Sequence, residues 1–328
     1  MIEKYIPLYL LVFFSTLLIT VISERRLIPF LSERAQQPLY EEGPAWHANK
    51  KGTPTMGGLG FASAAAISLF CASAFLLSAG QRQTALSLIC TTFFAMANGA
   101  IGIIDDITKL KRKKNAGLSP SQKLLLQTVC AVLFLTARRY LVGDTTVLRF
   151  AFADVDIGPL YYPLAISAII GSVNAANLTD GIDGLASSVA FAIGASLLFM
   201  TARTEFTAAL LASTIIGASL GFLVFNINPA KIFMGDTGSL FFGAITVGCA
   251  FAMKNPLIMI FVGGVYLVEG ASVILQVLFY KATGKRIFKM APLHHHLEKC
   301  GMGENKICLI AVILTLLLSL PALLIFAR

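Results

Sequence analysis

"PLYYPLAISAIIGSVNAANLTDGIDGLASSVAFAIGASLLFM", Pro159 to Met200, is two apolar runs joined by a short polar segment. Each run approaches the ~20 mostly apolar residues that carry a helix across a bilayer. The joint places Asn177, Asp180 and Asp183 among Gly181 and Gly184. Glycine lets the chain turn and lets a ligand approach the main chain. The helix beginning near Gly184 leaves free amides that can face an anion. A plain N-cap and turn, with Asp180 or Asp183 capping, is the simpler alternative. It accounts for one aspartate and leaves the other and Asn177 over.

The same alternation runs through all 328 residues, of which 56% are hydrophobic and 13% charged. Soluble domains carry about 25% charged residues, so the composition points to a membrane. Ten apolar runs are predicted to span it: 5–23, 56–79, 84–104, 122–142, 159–177, 185–202, 206–226, 238–253, 256–280 and 307–327. Backbone groups cannot stay unpaired in lipid, so the expected fold is all-α, a polytopic bundle of ten transmembrane helices. Residues 1–328 read as a single transmembrane catalytic domain. The first run lacks a small-x-small cleavage site and reads as a first spanning helix, not a removed signal. The six cysteines have no CxxC spacing and are expected as small core hydrophobes.

Basic residues set the orientation. Segments after the odd-numbered runs hold Arg25, Arg26, Arg34, Lys50, Lys51, the stretch "KLKRKKNAGLSPSQK", Lys231 and "KATGKRIF", and the opposite side is sparse. The basic side is therefore expected to be cytoplasmic, with both termini external. Lys109 to Lys114 read as a topological anchor near anionic lipid, so the net charge of +9 calls for no nucleic acid.

Most acidic residues fall on that same side, at the ends of runs. Asp105 and Asp106 close the third. Acids at a helix C-terminus oppose the macrodipole, which favours a site over a merely solvated end. Asp236 lies between Gly235 and Gly238 in "NPAKIFMGDTGSLFFG". It can hold Mg2+, which takes one or two carboxylates together with phosphate oxygens, or can simply cap a helix. His294, His295 and His296 form a triple in "MAPLHHHLEKCG". Three adjacent side chains cannot all face one ion, so they suit donors to a diphosphate or sugar, or a wet interfacial loop, better than a zinc site. "HANKKGTPTMGGLGF" offers Lys50, Lys51, Thr53 and Thr55 before a glycine-opened helix; it is phosphate-facing in character without being a P-loop. Glu269 lies mid-run, with Gln276 two turns on; pairing within the bundle and a functional role both remain open for it.

"KKGTPTMGG", the Asp105–Asp106 pair, "NLTDGIDGLA", "FMGDTGSL" and "MAPLHHHLE", in this order, closely resemble the phospho-N-acetylmuramoyl-pentapeptide-transferase family. The likeness runs from about Trp46 to Gly301. The aspartate motifs are shared with the wider polyprenyl-phosphate N-acetylhexosamine-1-phosphate transferases. The triple histidine and "GTPTMGG" are specific to the muramoyl-pentapeptide branch. The resemblance implies a homodimer in the bacterial plasma membrane with cytoplasmic active-site loops and Mg2+ as cofactor. It implies transfer of phospho-MurNAc-pentapeptide from UDP-MurNAc-pentapeptide to undecaprenyl phosphate, giving lipid I and UMP in the first membrane step of peptidoglycan synthesis. Membrane lipids are then surroundings and partners alike. Carried onto this sequence, Asp105, Asp106 and Asp236 are the catalytic acids, with Asp236 the metal ligand. Lys50, Thr55, Asn177, Asp180, Asp183, Phe233, Gly235, Gln276, His294, His295 and His296 match substrate-binding positions.

Phosphoryl transfer asks chiefly for positioning and charge neutralisation. The lipid phosphate is largely ionised near neutral pH, since a phosphomonoester's second pKa is about 6. Direct in-line attack is therefore expected, with Asp105 taking any residual proton; a covalent aspartyl-phosphate is the alternative. A sibling transferase, an intramembrane prenyltransferase and a transporter are the rival functions. The triple histidine disfavours the first two, and confinement of the polar clusters to one face disfavours the third.

Overall fold

A computed structural model describes residues 6–35, 50, 52–112, 117–150 and 152–326. Lys51, Lys113, Lys114 and both chain termini lie outside the described residues. The helices are α1 (Ile6–Ser32), α2 (Gly58–Ser78), α3 (Arg82–Arg112), α4 (Pro120–Ala137), α5 (Tyr161–Thr179), α6 (Leu185–Thr201), α7 (Phe206–Asn226), α8 (Gly235–Ala252), α9 (Met259–Val262), α10 (Gly264–Thr283), α11 (Leu293–Lys299) and α12 (Glu304–Phe326). Seven of them, α1, α2, α3, the α4 segment to Val142, α7, α10 and α12, are long and apolar enough to cross a membrane; α6 is a shorter apolar helix.

Helix α8 occupies the middle. Every residue from Thr237 to Ala252 is buried, and α2, α3, α5, α6 and α7 pack around it. Its glycines explain how. Lipid supplies little hydrophobic drive between helices, so small residues that let backbones approach decide the contacts. A Cβ on Gly243 would lie 2.9 Å from Val173 Cα of α5. One on Gly58 would collide with the Gly238 backbone, and one on Gly102 of α3 with the Asp236 carbonyl. The beginning of α8 is thereby clamped between α2 and α3. Two loop bonds complete the clamp: the Gly57 amide donates to Phe233 O (2.9 Å) and the Phe233 amide to Pro54 O (2.8 Å).

The opposite end is closed by Arg138, almost fully buried. Its guanidinium donates to Asp144 Oδ2 (2.5 Å) and Oδ1 (3.0 Å), Ser87 Oγ (3.0 Å) and the Phe251 carbonyl (2.9 Å), a forked pairing suited to arginine. A two-stranded antiparallel hairpin, β1 (Val147–Arg149) with β2 (Asp154–Asp156), pairs Leu148 with Val155 beside it.

Three boundaries differ from the sequence expectation. The run expected as one helix over 256–280 is broken: a 3-10 turn at Pro256–Ile258 leads into α9, and Gly263 separates α9 from α10. Adjacent Gly263 and Gly264 weaken helix continuity there. Helix α3 continues to Arg112, well past the apolar limit at 104, so Asp105 and Asp106 lie inside a helix and not at its end. The triple histidine, expected in a loop, sits on the short helix α11.

Candidate active site

The last turns of α3 bring Asp105, Asp106 and Lys109 to the start of α8. Asp106 caps that helix from outside. Its Oδ1 accepts from the Asp236 amide (3.1 Å), and its Oδ2 from the Thr237 amide (3.0 Å) and Thr237 Oγ1 (2.7 Å). A carboxylate at a helix N-terminus satisfies orphan amides and complements the dipole. Gly235, at φ +67°, is required: a side chain there would meet Asp106 Oδ2 at 2.6 Å and Thr55 Oγ1 at 2.9 Å. Thr55 is buried and Phe233 half-buried beside it.

Asp236 projects from this capped turn between two lysines. Lys123 Nζ lies 2.5 Å from its Oδ2, and Lys109 Nζ 3.1 Å from its Oδ1. Asn177 Nδ2 donates to Asp236 Oδ1 (3.2 Å) and to Ser239 Oγ (2.7 Å). Asp105 pairs with Lys109 (2.7 Å) and accepts from the Leu118 amide (2.8 Å), an approach that Gly117 permits. Asp105, Asp106 and Asp236 offer oxygens all within 4.8 Å of one another.

Asp180 follows α5 and faces this cluster. Burial, then the charges of Asp236, Asp106 and Asp183, push its carboxyl up to about 8, with Lys109 opposing. Asp183 is more firmly held. Lys50 Nζ donates to its Oδ1 (2.6 Å), and Asn228 Nδ2 (3.1 Å) and the Ala230 amide (2.9 Å) to its Oδ2. Asn226 fixes the turn that follows, accepting from the Gly184 amide (3.2 Å) and Ser187 Oγ (3.1 Å).

The three histidines have different hydrogen-bond partners, although the His294 and His295 rings pack edge to face at 4.3 Å. His294 is fully buried, with Nδ1 3.2 Å from Glu269 Oε2, and its Nε2 abuts Gly181, where a Cβ would collide with it. Glu269 therefore does pair within the bundle, and the pair reaches the Asp180–Asp183 turn. His295 Nδ1 lies 2.6 Å from Glu298 Oε2. His296 accepts from the Lys289 amide (3.1 Å), further out. Gln276 accepts from the Ile287 and Phe288 amides (3.1 and 2.9 Å) and so bears on the segment leading to α11; no described hydrogen bond joins it to the aspartates.

Lys109, read as part of a topological anchor, and Lys123, read only as one of the basic residues of that side, both lie on Asp236. Their signal was present: Lys109 stands four residues after Asp105, on the same helix face. Lys123 carried none, because the start of α4 meets α8 only through tertiary packing.

Residues 85–254 match the glycosyl transferase family 4. Among curated proteins, the phospho-N-acetylmuramoyl-pentapeptide-transferase of Halalkalibacterium halodurans is 43% identical over 310 residues, 94% of this chain and 93% of that protein. The enzyme of the same name from Bacillus thuringiensis is 42% identical over 299 residues, 88% and 89% of the two chains. Identity of that degree over almost the whole length, with the aspartates, lysines and histidines gathered as described, makes this chain a membrane-embedded transferase that belongs to the phospho-N-acetylmuramoyl-pentapeptide-transferase family.

Proposed function

We propose that the protein transfers phospho-MurNAc-pentapeptide from its UDP conjugate to undecaprenyl phosphate, releasing UMP and forming lipid I. The observation that carries this is the meeting of Asp105, Asp106, Asp180 and Asp236 with Lys109 and Lys123 at one end of the bundle. Asp105, Asp106, Asp183, Asp236 and Glu304 oppose Lys50, Lys109 and Lys123 there, and Asp180 adds a carboxyl that burial pushes up to about 8. A nucleotide diphosphate would add further negative charge, so a cation is needed. Hard carboxylate oxygens in close array suit Mg2+, with Asp236 the principal ligand and Asp105 beside it. When bound, Mg2+ supplies charge neutralisation at the diphosphate and the leaving UMP.

The protein groups divide the remaining work. Asp106 holds the first turn of α8 and so aims Asp236. Lys109 and Lys123 are placed to take up phosphate charge. Lys50 and Asp183 mark the nucleotide edge, bordered by Thr55, Asn177, Phe233 and Gly235. His294 supports the Asp180–Asp183 turn, and His295, His296 and Gln276 shape the rim. The lipid phosphate attacks the β-phosphorus directly, and Asp105 accepts any residual proton. Ten spans, a single catalytic domain, a site on the cytoplasmic face, external termini and a homodimer complete the proposal, supported by the basic-residue asymmetry and the family membership.

The test is UMP release by purified protein given UDP-MurNAc-pentapeptide and undecaprenyl phosphate, with and without Mg2+. Asp236→Asn should abolish release while the protein still inserts. Trapping of a phosphorylated chain in a single turnover would replace direct attack by a covalent route.

A further inference from the structure

Glu304 opens α12, 254 residues after Lys50 in the chain. Its Oε2 accepts from Lys50 Nζ at 2.8 Å and from the Asp183 amide at 2.7 Å. Lys50 also donates to Asp183 Oδ1 at 2.6 Å, so the three residues close a triangle. One turn along α12, Cys308 Sγ reaches the Asp183 carbonyl (3.3 Å). Helix α12 thus grips Asp183 at both its amide and its carbonyl, and holds Lys50 against it.

An isolated lysine is a flexible point charge whose long side chain has many rotamers to lose on binding. Charge-assisted bonds to two carboxylates remove most of that freedom before any ligand arrives. The Lys50 side chain remains 20% exposed, so its ammonium is held and still accessible. Ordering a binding group in advance strengthens association by lowering what must be immobilised on binding.

We propose that Glu304 is a positioning residue for the nucleotide substrate: it fixes the Lys50 ammonium and the Asp183 amide, and acts on nucleotide affinity and not on the chemical step. This rests on the reading that Lys50 and Asp183 border the nucleotide.

The experiment uses full-length Glu304→Ala and Glu304→Gln in detergent. It measures KM for UDP-MurNAc-pentapeptide, KM for undecaprenyl phosphate, kcat, Tm, and direct binding of UMP. Glu304→Ala should raise the nucleotide KM and weaken UMP binding about tenfold, the worth of one hydrogen bond to a charged group. The lipid KM and kcat should stay within about twofold on that account, because the Glu304 bonds fall on Lys50 and the Asp183 amide and not on the Asp105, Asp106 and Asp236 carboxylates. Glu304→Gln keeps a carbonyl acceptor for the Asp183 amide and should recover part of the loss. Unchanged nucleotide KM and UMP affinity overturn the proposal, as does a rise in both KM values together with a lowered Tm. A wild type that releases no UMP would sink the transferase reading itself, and UMP binding would then decide the role of Glu304 alone.

Discussion

Asp106→Asn tests how the start of α8 is held. The substitution is isosteric. An amide oxygen at the Oδ2 position can still accept from the Thr237 amide and hydroxyl. The new NH2 then faces the Asp236 amide, donor against donor, where Oδ1 now accepts at 3.1 Å. A buried amide left unpaired costs ~1–3 kcal/mol. Removing negative charge from the helix N-terminus costs a further ~0.3–1 kcal/mol. Felt in the alignment of Asp236, a sum of about 1.3–4 kcal/mol corresponds to a ~10- to 1,000-fold fall in kcat. The assay is UMP release at saturating substrates, alongside thermal unfolding in detergent. A lowered Tm should accompany the lowered rate, since the same bonds serve both. Wild-type rate and Tm would refute the capping argument. A loss well beyond 1,000-fold, about 10⁵ or more, with an unchanged Tm would refute it differently, by showing that Asp106 meets the reacting groups itself.

Replacing Lys123 with Met removes the 2.5 Å partner of Asp236. The maximal rate should fall while the Mg2+ concentration for half-activity also falls, because a competing cation is gone; a Mg2+ titration reads both, and an unchanged midpoint counts against the pairing. Gly181→Ala should lower Tm through its clash with His294 Nε2, and adding His294→Ala should restore part of the loss. Without added divalent cation, Asp180 binds its proton in the folded protein up to about 8, against an ordinary value of 3.8. The folded state then holds more protons than the unfolded between those values, so this group costs stability progressively as pH rises from about 4 to about 8. Asp180→Asn should flatten that fall in Tm, measured by thermal unfolding across the pH range.

The helical character of the chain was legible because lipid permits so few alternatives and because the apolar runs are long. The run across Gly263 was misjudged since hydropathy is blind to a backbone break between two equally apolar segments. Charged residues misplaced the end of α3: hydropathy stops at Ile104, while the helix continues because its last turns pack on α8 and carry Lys109 back onto Asp105. Asp105, Asp180, Asp183 and Asp236 stood out in the sequence, as acids beside apolar runs do. Lys123 and Glu304 did not, because surface lysines and glutamates have the same local signature. Only the meeting of distant elements distinguishes them.

The triangle of Lys50, Asp183 and Glu304 also orders the protein's biogenesis. Lys50 and Asp183 leave the ribosome long before α12 does, and the bonds from Glu304 to the Lys50 ammonium and the Asp183 amide form only once that helix has been inserted. A chain halted before Glu304 could lodge most of its helices in the bilayer and still lack a finished pocket. The contacts that α12 makes with Lys50 and Asp183 are in this way among the last of this pocket to form.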